Sequence, residues 1–174
     1  QPDEATKAKV NRVLAARGWR VPVVLALTGL LCRCLTYVVA FIWGRIQMAQ
    51  GPNPATGAYE LTTGYTTEIM AVIAFLLFWA AGWKFVRGLS RKEIFLSATI
   101  MVVWHGLLLA LEQLSQAMGG YSIWVYRLYA TTAATGWATQ ILVRVFDEVS
   151  VPVVLPAILT AYCYLILGKR KAAS

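Results

Sequence analysis

Acidic residues are scarce in this sequence, with eight Asp and Glu against sixteen Lys and Arg and a formal net charge of +8. Charged residues of both signs make up only 14% of the chain, whereas soluble domains carry roughly 25%. This balance argues against an ordinary soluble globular domain. The positive excess does not indicate nucleic-acid binding, because most basic residues stand in short clusters beside hydrophobic runs, as in membrane proteins.

Metal-ligating and disulfide-forming side chains are also few. The chain has a single histidine, His105, and three cysteines, Cys32, Cys34 and Cys163. Cys32 and Cys34 lie two residues apart on a predicted helix and point to nearly opposite faces, so they cannot chelate one metal together. An odd number of cysteines, all in apolar runs, argues against a disulfide framework. The sequence predicts neither a metal site nor a cofactor.

Catalytic signatures are missing as well. The sequence contains no G-x-S-x-G nucleophile elbow, H-E-x-x-H zinc motif, pair of intramembrane aspartates or phosphate-binding loop. Ser97, Ser115 and Ser122 have no base and orienting partner that would make them nucleophiles. Nothing in the sequence selects an enzyme.

Long hydrophobic runs dominate what is present. Hydrophobic residues make up 59% of the chain and form runs that approach or exceed the roughly 20 residues a helix needs to cross a bilayer. We predict spans at 21–43, 66–85, 93–118 and 151–167. Residues 121–142 are less hydrophobic, but two rows of Ala and Thr suit them to packing between helices. The predicted fold is an all-α integral membrane protein, a compact bundle of five membrane helices in which the helix at 121–142 has the weakest hydrophobic signal.

The chain divides into a basic N-terminal segment (1–20), one transmembrane helical domain (21–168) and a basic C-terminal tail (169–174). The N-terminal segment is either a short amphipathic helix on the membrane surface or a solvated basic leader. Its basic residues, and those that follow the second span, predict that the N-terminus lies in the cytoplasm. We expect the protein in a bacterial plasma membrane.

Two arguments conflict on the number of full spans. Five would put the basic tail outside, against the positive-inside rule, whereas four, with 121–148 re-entrant or on the outer surface, place twelve of the sixteen basic residues inside. Length and packing pattern favour five, and we predict five membrane helices. Residues 44–65 form a polar outer loop that is either a plain connector or a lid over an outward pocket. At the outer end of the second span, Glu68 is placed to pair with Arg45.

Ionisable residues inside the predicted spans mark the candidate site, because a charged side chain in hydrocarbon is costly unless neighbouring helices or water shield it. His105, Glu112 and Gln116 share one face of the third span, at about 100° per residue. A rise of about 1.5 Å per residue puts Arg33 and His105 near mid-membrane and brings Arg127 to the depth of Glu112. Arg33, His105, Glu112, Gln116 and Arg127 are therefore the predicted ligand-binding residues.

Within this set, Glu112 and Arg127 are the ion pair best matched in depth, and the long side chain of Arg33 is expected to reach the same carboxylate. Two fixed positive charges against one negative charge, beside the imidazole of His105, would attract an anion or a carboxylate-bearing ligand. One alternative is a purely structural ion pair, with Arg33 satisfied by carbonyls and water. Another is a proton relay between His105 and Glu112, since both groups titrate.

Two functions from different classes follow from these patterns. The leading hypothesis is a multi-pass membrane protein that binds or translocates a small solute, anionic by the charge count, through an interior polar site. The alternative is a non-catalytic membrane subunit or assembly factor that packs against partner helices through its small-residue faces. The expected partners are membrane lipid, a small-molecule or ion ligand, and either a second copy of the chain or a partner membrane subunit. No nucleic-acid partner is expected.

Overall fold

A computed structural model describes residues 16–120, 122–130, 133–147 and 150–169. These residues are helical apart from turns and loops, with one isolated bridge between Ser90 and Lys169. Three helices are long and apolar enough to cross a membrane, namely α1 (Arg20–Ala49), α2 (Thr66–Phe85) and α3 (Arg91–Ala117). The predicted all-α membrane class is confirmed at this level, whereas the count of five spans is not.

The rest of the chain is made of shorter elements. In chain order they are α4 (Ile123–Ala130), the 3-10 helix η1 (Ala133–Thr135), α5 (Gly136–Phe146), α6 (Val151–Ile158) and the 3-10 helix η2 (Leu159–Leu167). Where a single helix was predicted at 121–142, the described residues form two short helices, α4 and α5, and η1 leads directly into α5. The predicted N-terminal surface helix and the basic tail lie largely outside the described residues.

The last apolar segment, α6 and η2, has few residues for a membrane span but is long along its axis. Pro156 has no N–H to donate to the carbonyl of Pro152, and the chain continues as the 3-10 helix η2 from Leu159. An α-helix rises about 1.5 Å per residue and a 3-10 helix about 2.0 Å, so α6 and η2 together extend roughly 30 Å. That length matches the hydrocarbon thickness of a bilayer, which is about 30 Å.

The start of α1, the turn from α2 to α3 and the end of η2 meet at one end of the bundle, here called the basic end. Arg17 Nη1 lies 3.3 Å from Glu93 Oε1, which ties the chain before α1 to the first turn of α3. The Lys169 N–H donates to the Leu89 carbonyl at 3.1 Å. Described basic residues gather here, namely Arg17, Arg20, Lys84, Arg87, Arg91, Lys92 and Lys169.

Ser97 holds α1 against α3 at this end. The buried Ser97 hydroxyl accepts the Val21 N–H at 3.1 Å and donates to the Gly18 carbonyl. One side chain thus satisfies two backbone groups at the start of α1 that would otherwise be buried without partners. The α3 helix itself begins at a capping box, in which Ser90 accepts the Glu93 N–H and Glu93 accepts the Ser90 N–H.

The core is shared among α1, α2, α3 and η2, and Tyr164 marks the point where η2 meets α2. Tyr164 is fully buried, its ring stacks on Phe78 with centroids 4.3 Å apart, and its hydroxyl donates to the Phe78 carbonyl at 2.8 Å. Gly82, one turn further along α2, faces the same tyrosine ring. The absence of a side chain at Gly82 is what permits this close approach between the two elements.

Candidate functional site

The segment 122–147, here called the helical hairpin, enters and leaves the bundle at the end opposite the basic end. It begins just after the turn that closes α3, in which the Gly120 N–H donates to the Ser115 carbonyl at 3.0 Å. It ends beside the start of α2, where Arg144 of α5 forms an ion pair with Glu68. Both ends of the hairpin therefore lie on the same side of the molecule.

The turn of the hairpin is held inside the bundle by packing. Ala134 is fully buried and Thr135 is 8% exposed. Trp137, at the start of α5, packs edge-on against Phe75 and Phe78 of α2, with ring centroids 5.0 and 5.8 Å apart. Irregular backbone at membrane depth is tolerated only where protein buries it or where it lines a cavity. In the described part of this turn the first condition holds, because Ala134 and Thr135 are buried by protein.

A cavity of about 230 Å³ lies between α1, α2 and α5, directly after the turn. Thr36, Thr66, Thr67 and Gln140 give its wall hydroxyl and amide groups. The remaining wall is small or apolar: Cys32, Ala40, Met70, Ala71, Ala74, Gly136 and Trp137. Such a space, apolar with a few convergent polar groups, suits water molecules or one small hydrogen-bonding solute.

Three buried side-chain atoms of the described residues lack a hydrogen-bond partner, and each lies on the hairpin or contacts it. The first is Nε1 of Trp137, a residue that also lines the cavity. The second is Nδ1 of His105, whose ring lies 5.7 Å from the ring of Tyr129 on α4. The third is Oε2 of Glu68, whose other oxygen carries the ion pair to Arg144. Because buried polar groups are normally paired, these atoms indicate places for water or a ligand.

Arg33 of α1 lies against α4 and is not among the residues that line the cavity. It is half-buried, and its guanidinium carbon lies 5.1 Å from the Tyr37 ring centroid and 5.6 Å from that of Tyr126. No described carboxylate comes within 4.0 Å of it. Cation–π contacts therefore take the place of the expected ion pair, and the positive charge of Arg33 stays uncompensated by any described acid.

His105 and Glu112 also meet α4, through Tyr129 rather than through each other. His105 is 2% exposed, whereas Glu112 is half-buried. Glu112 is close enough to Tyr129 for the two side chains to interact electrostatically. Two tyrosines of α4 thus lie between these groups. Tyr126 contacts Arg33, and Tyr129, three residues on, lies beside His105 and Glu112.

The structure does not bring the other two predicted site residues into this group. Arg127 is exposed and lies over the Trp124 ring at 5.2 Å, with no ion pair to Glu112 within 4.0 Å. Gln116 is exposed near the end of α3. Arg127 lies only about one turn into α4 and its side chain is exposed, so it needs no buried partner.

Two further features differ from the sequence-based expectation. Glu68 pairs with Arg144 instead of Arg45, which is exposed. The cavity residues Thr36, Gln140 and Trp137 were not among the predicted ligand-binding residues. Gln140 was detectable in principle, since it is an uncharged polar residue in a predicted membrane helix, the same property that selected Gln116.

The loop 51–65, between α1 and α2, is held against the end of α1 by hydrogen bonds. The Gln47 amide bonds the backbone and hydroxyl of Thr62 at 2.9 to 3.1 Å, and the Trp43 indole N–H donates to the Thr62 carbonyl at 3.0 Å. No residue of this loop lines the cavity. These contacts favour the connector over the lid.

No three His, Cys, Asp or Glu side chains of the described residues are grouped so that they could hold a metal ion. Comparison with protein-family models, with curated proteins and with solved structures finds no match. The fold and the hairpin define the class of protein, a small all-α membrane protein with a helical hairpin packed into its bundle. Its function must be argued from that site.

Proposed function

We propose that this protein binds or translocates a small solute, with an anion as the favoured charge, at the helical hairpin. The observation that carries the proposal is the set of buried unpartnered polar atoms around the hairpin, beside a cavity with hydroxyl and amide groups in its wall. Broken helices that expose polar groups at membrane depth are a recurring way to bind solutes. The charge preference rests on Arg33, which has no described carboxylate partner.

Filling the cavity should remove the activity. In Ala71→Phe, a phenyl ring replaces a methyl group in the cavity wall of α2, and solute flux should fall to the level of protein-free liposomes. The measurement is stopped-flow light scattering of proteoliposomes with chloride, formate, acetate, lactate, urea and glycerol as probes. Ala80→Phe is the matched control, because Ala80 is exposed on the same helix and should leave flux unchanged.

The outcomes of this experiment separate the proposal from its failure. Flux of at least one probe above that of protein-free liposomes, lost in Ala71→Phe and kept in Ala80→Phe, supports the cavity as the route. If none of the probes crosses faster with wild-type protein and none raises its thermal midpoint, the protein neither conducts nor binds these solutes. Equal loss in both variants would point to a general packing defect.

We also infer that the chain crosses the membrane four times, with the hairpin re-entrant from the end opposite the basic end. Support comes from the two hairpin ends at Gly120 and Arg144, and from Lys169, which bonds Leu89 at the basic end. This topology resolves the conflict over charge, because it puts the described part of the C-terminal basic cluster beside the other basic residues. By the positive-inside rule the basic end faces the cytoplasm, which suits a bacterial plasma membrane.

Cysteine labelling on intact cells tests the topology. In a chain whose native cysteines are replaced, Lys169→Cys and Lys92→Cys should react with a membrane-impermeant maleimide from the same side. Glu60→Cys, in the loop between α1 and α2, should react from the other side. Five full crossings would instead make Lys169→Cys behave like Glu60→Cys, and that result would overturn the four-crossing topology.

A second candidate function is a subunit that docks a partner helix. The observation in its favour is an open face of α3, where a Cβ added at Gly106 would meet no atom within 4 Å and where Ala110 and Gln113 are exposed. Small residues with a polar neighbour are typical of contacts between membrane helices. Purified protein with the mass of one chain plus detergent, and without a co-purifying membrane protein, would count against this candidate.

A further inference from the structure

A second, larger concavity lies at the basic end and shares no lining residue with the cavity beside the hairpin. It occupies about 510 Å³ between the first turns of α1 and the last turn of α2, and is here called the basic groove. Arg20 and Lys84 stand on its rim, one from each helix. Its apolar walls include Trp19, Val23 and Phe85, which are 56%, 50% and 51% exposed, and the nearly buried Val24.

We propose that the basic groove binds an anionic phospholipid of the leaflet at the basic end. The phosphate ester would contact Arg20 and Lys84, and one acyl chain would run along Val23 and Phe85. Basic pockets between membrane helices are general sites for anionic lipid headgroups, because they combine positive charge with an apolar surface that continues into the bilayer. This proposal is independent of the solute site.

The charge around the groove favours an anion. No carboxylate of the described residues lines it, and the acidic residue that the structure describes at this end, Glu93, is already paired with Arg17 at 3.3 Å. Neither Arg20 nor Lys84 forms an ion pair with a described residue within 4.0 Å. Lys84 Nζ lies 5.4 Å from the Phe85 ring centroid, a cation–π contact that does not neutralise its charge. Two cations thus stand on the rim of one groove without a described carboxylate partner.

The shape of the groove favours a lipid over a free ion. Its walls are half-exposed apolar side chains, which in a membrane would face acyl chains, and a tryptophan stands at the level of the headgroups. A free phosphate ion would use only the rim and leave the apolar wall unoccupied. A phospholipid satisfies both the rim and the wall with one molecule.

Native mass spectrometry of the full-length protein, incubated with equimolar phosphatidylglycerol and phosphatidylcholine of identical acyl chains, tests the proposal. Wild-type protein should retain phosphatidylglycerol preferentially. At roughly 1 kcal/mol per basic residue near anionic lipid, the double variant Arg20→Gln/Lys84→Gln should lower that preference by about 30-fold. The matched control is Arg87→Gln/Lys92→Gln, which removes two exposed charges at the same end but outside the groove, and it should change the preference little.

A third variant and a competitor complete the design. Val23→Trp keeps both charges but fills the path of the acyl chain, so it should weaken retention of lipid, whether or not the double variant folds. Inorganic phosphate at millimolar concentration should not displace the lipid. Equal loss in the control variant, normal retention in Val23→Trp, or displacement by phosphate would each overturn the proposal, the last by identifying a site for the free anion.

Discussion

Replacement of Arg33 by leucine is expected to abolish the preference of the protein for anions while leaving it folded. Arg33 stands in the middle part of α1, and its guanidinium lies beside the rings of Tyr37 and Tyr126, without a described carboxylate within 4.0 Å. Arg33 directly follows Cys32, which lines the cavity. An anion that binds within about 8 Å of this charge would gain roughly 2 kcal/mol at an effective dielectric constant of about 20. Its loss corresponds to about a 30-fold weaker affinity.

The measurement compares flux and thermal stabilisation for chloride and formate with those for urea and glycerol. Arg45→Leu is the matched control, since Arg45 belongs to the same helix but is exposed near its outer end, and it should behave like wild type. Anion selectivity that survives in Arg33→Leu would show that this arginine is structural. Loss of neutral-solute flux as well would mean that the variant has disturbed the cavity itself, and the selectivity assignment would then fail.

Gly82→Val should strongly destabilise the described core. A Cβ at position 82 would collide with the Tyr164 ring, lying 2.8 Å from its Cδ1 atom, and would come 3.0 Å from Cδ1 of Leu167. Tyr164 cannot move aside easily, because its ring stacks on Phe78 and its hydroxyl is bonded to the Phe78 carbonyl. Overpacking typically costs 1–3 kcal/mol, and this rigid site should reach about 3 kcal/mol.

Thermal unfolding of the detergent-purified protein checks this expectation. For a chain of this size, about 3 kcal/mol corresponds to a fall in Tm of roughly 6–12 °C. Gly106→Val is the control, because it makes the same substitution within a membrane helix where the new Cβ would meet nothing within 4 Å. If the two variants lost the same stability, the cost would come from helix propensity alone, and the tight packing of η2 on α2 would be refuted.

The long helices were predictable because hydrophobic length and charge placement are local properties. Residues 66–85 were predicted as a span and form a helix with those bounds, and α1 and α3 contain nearly all of the spans predicted at 21–43 and 93–118. A backbone in hydrocarbon must satisfy its own hydrogen bonds, so a long apolar run is restricted to a helix. No knowledge of neighbouring elements is needed for that inference.

The path of the hairpin was not predictable in the same way. The rows of Ala and Thr at 130–139 indicated close packing, and Ala134 and Thr135 are indeed buried. The same rows were interpreted as one membrane helix, with a re-entrant or surface segment as the alternative that the charge distribution favoured. The described residues form two separate helices, α4 and α5, whose far ends lie at the same end of the bundle, so the chain reverses direction between them. That reversal depends on contacts between distant residues, such as the pairing of Arg144 with Glu68, 76 residues apart.

The candidate site shows the same division. Arg33, His105 and Glu112 were selected because ionisable groups in apolar runs are costly, and all three are at least half-buried. Matching Glu112 to Arg127 assumed a helix descending continuously from position 121. In the structure α4 is only eight residues long. Its tyrosines lie between Arg33, His105 and Glu112, where ion pairs were expected.

By itself the sequence determined that this is a helical membrane protein, where its three long helices run and which end carries the basic residues. These are consequences of the cost of placing polar backbone and charge in hydrocarbon, which each segment meets on its own. Only the tertiary structure decided that residues 122–147 fold back between the long helices, and so which polar groups face a cavity. That outcome depends on how Trp137, Phe75 and Phe78 pack together. These residues belong to segments far apart in the chain, and neither segment carries a periodic pattern that would reveal the other as its packing partner.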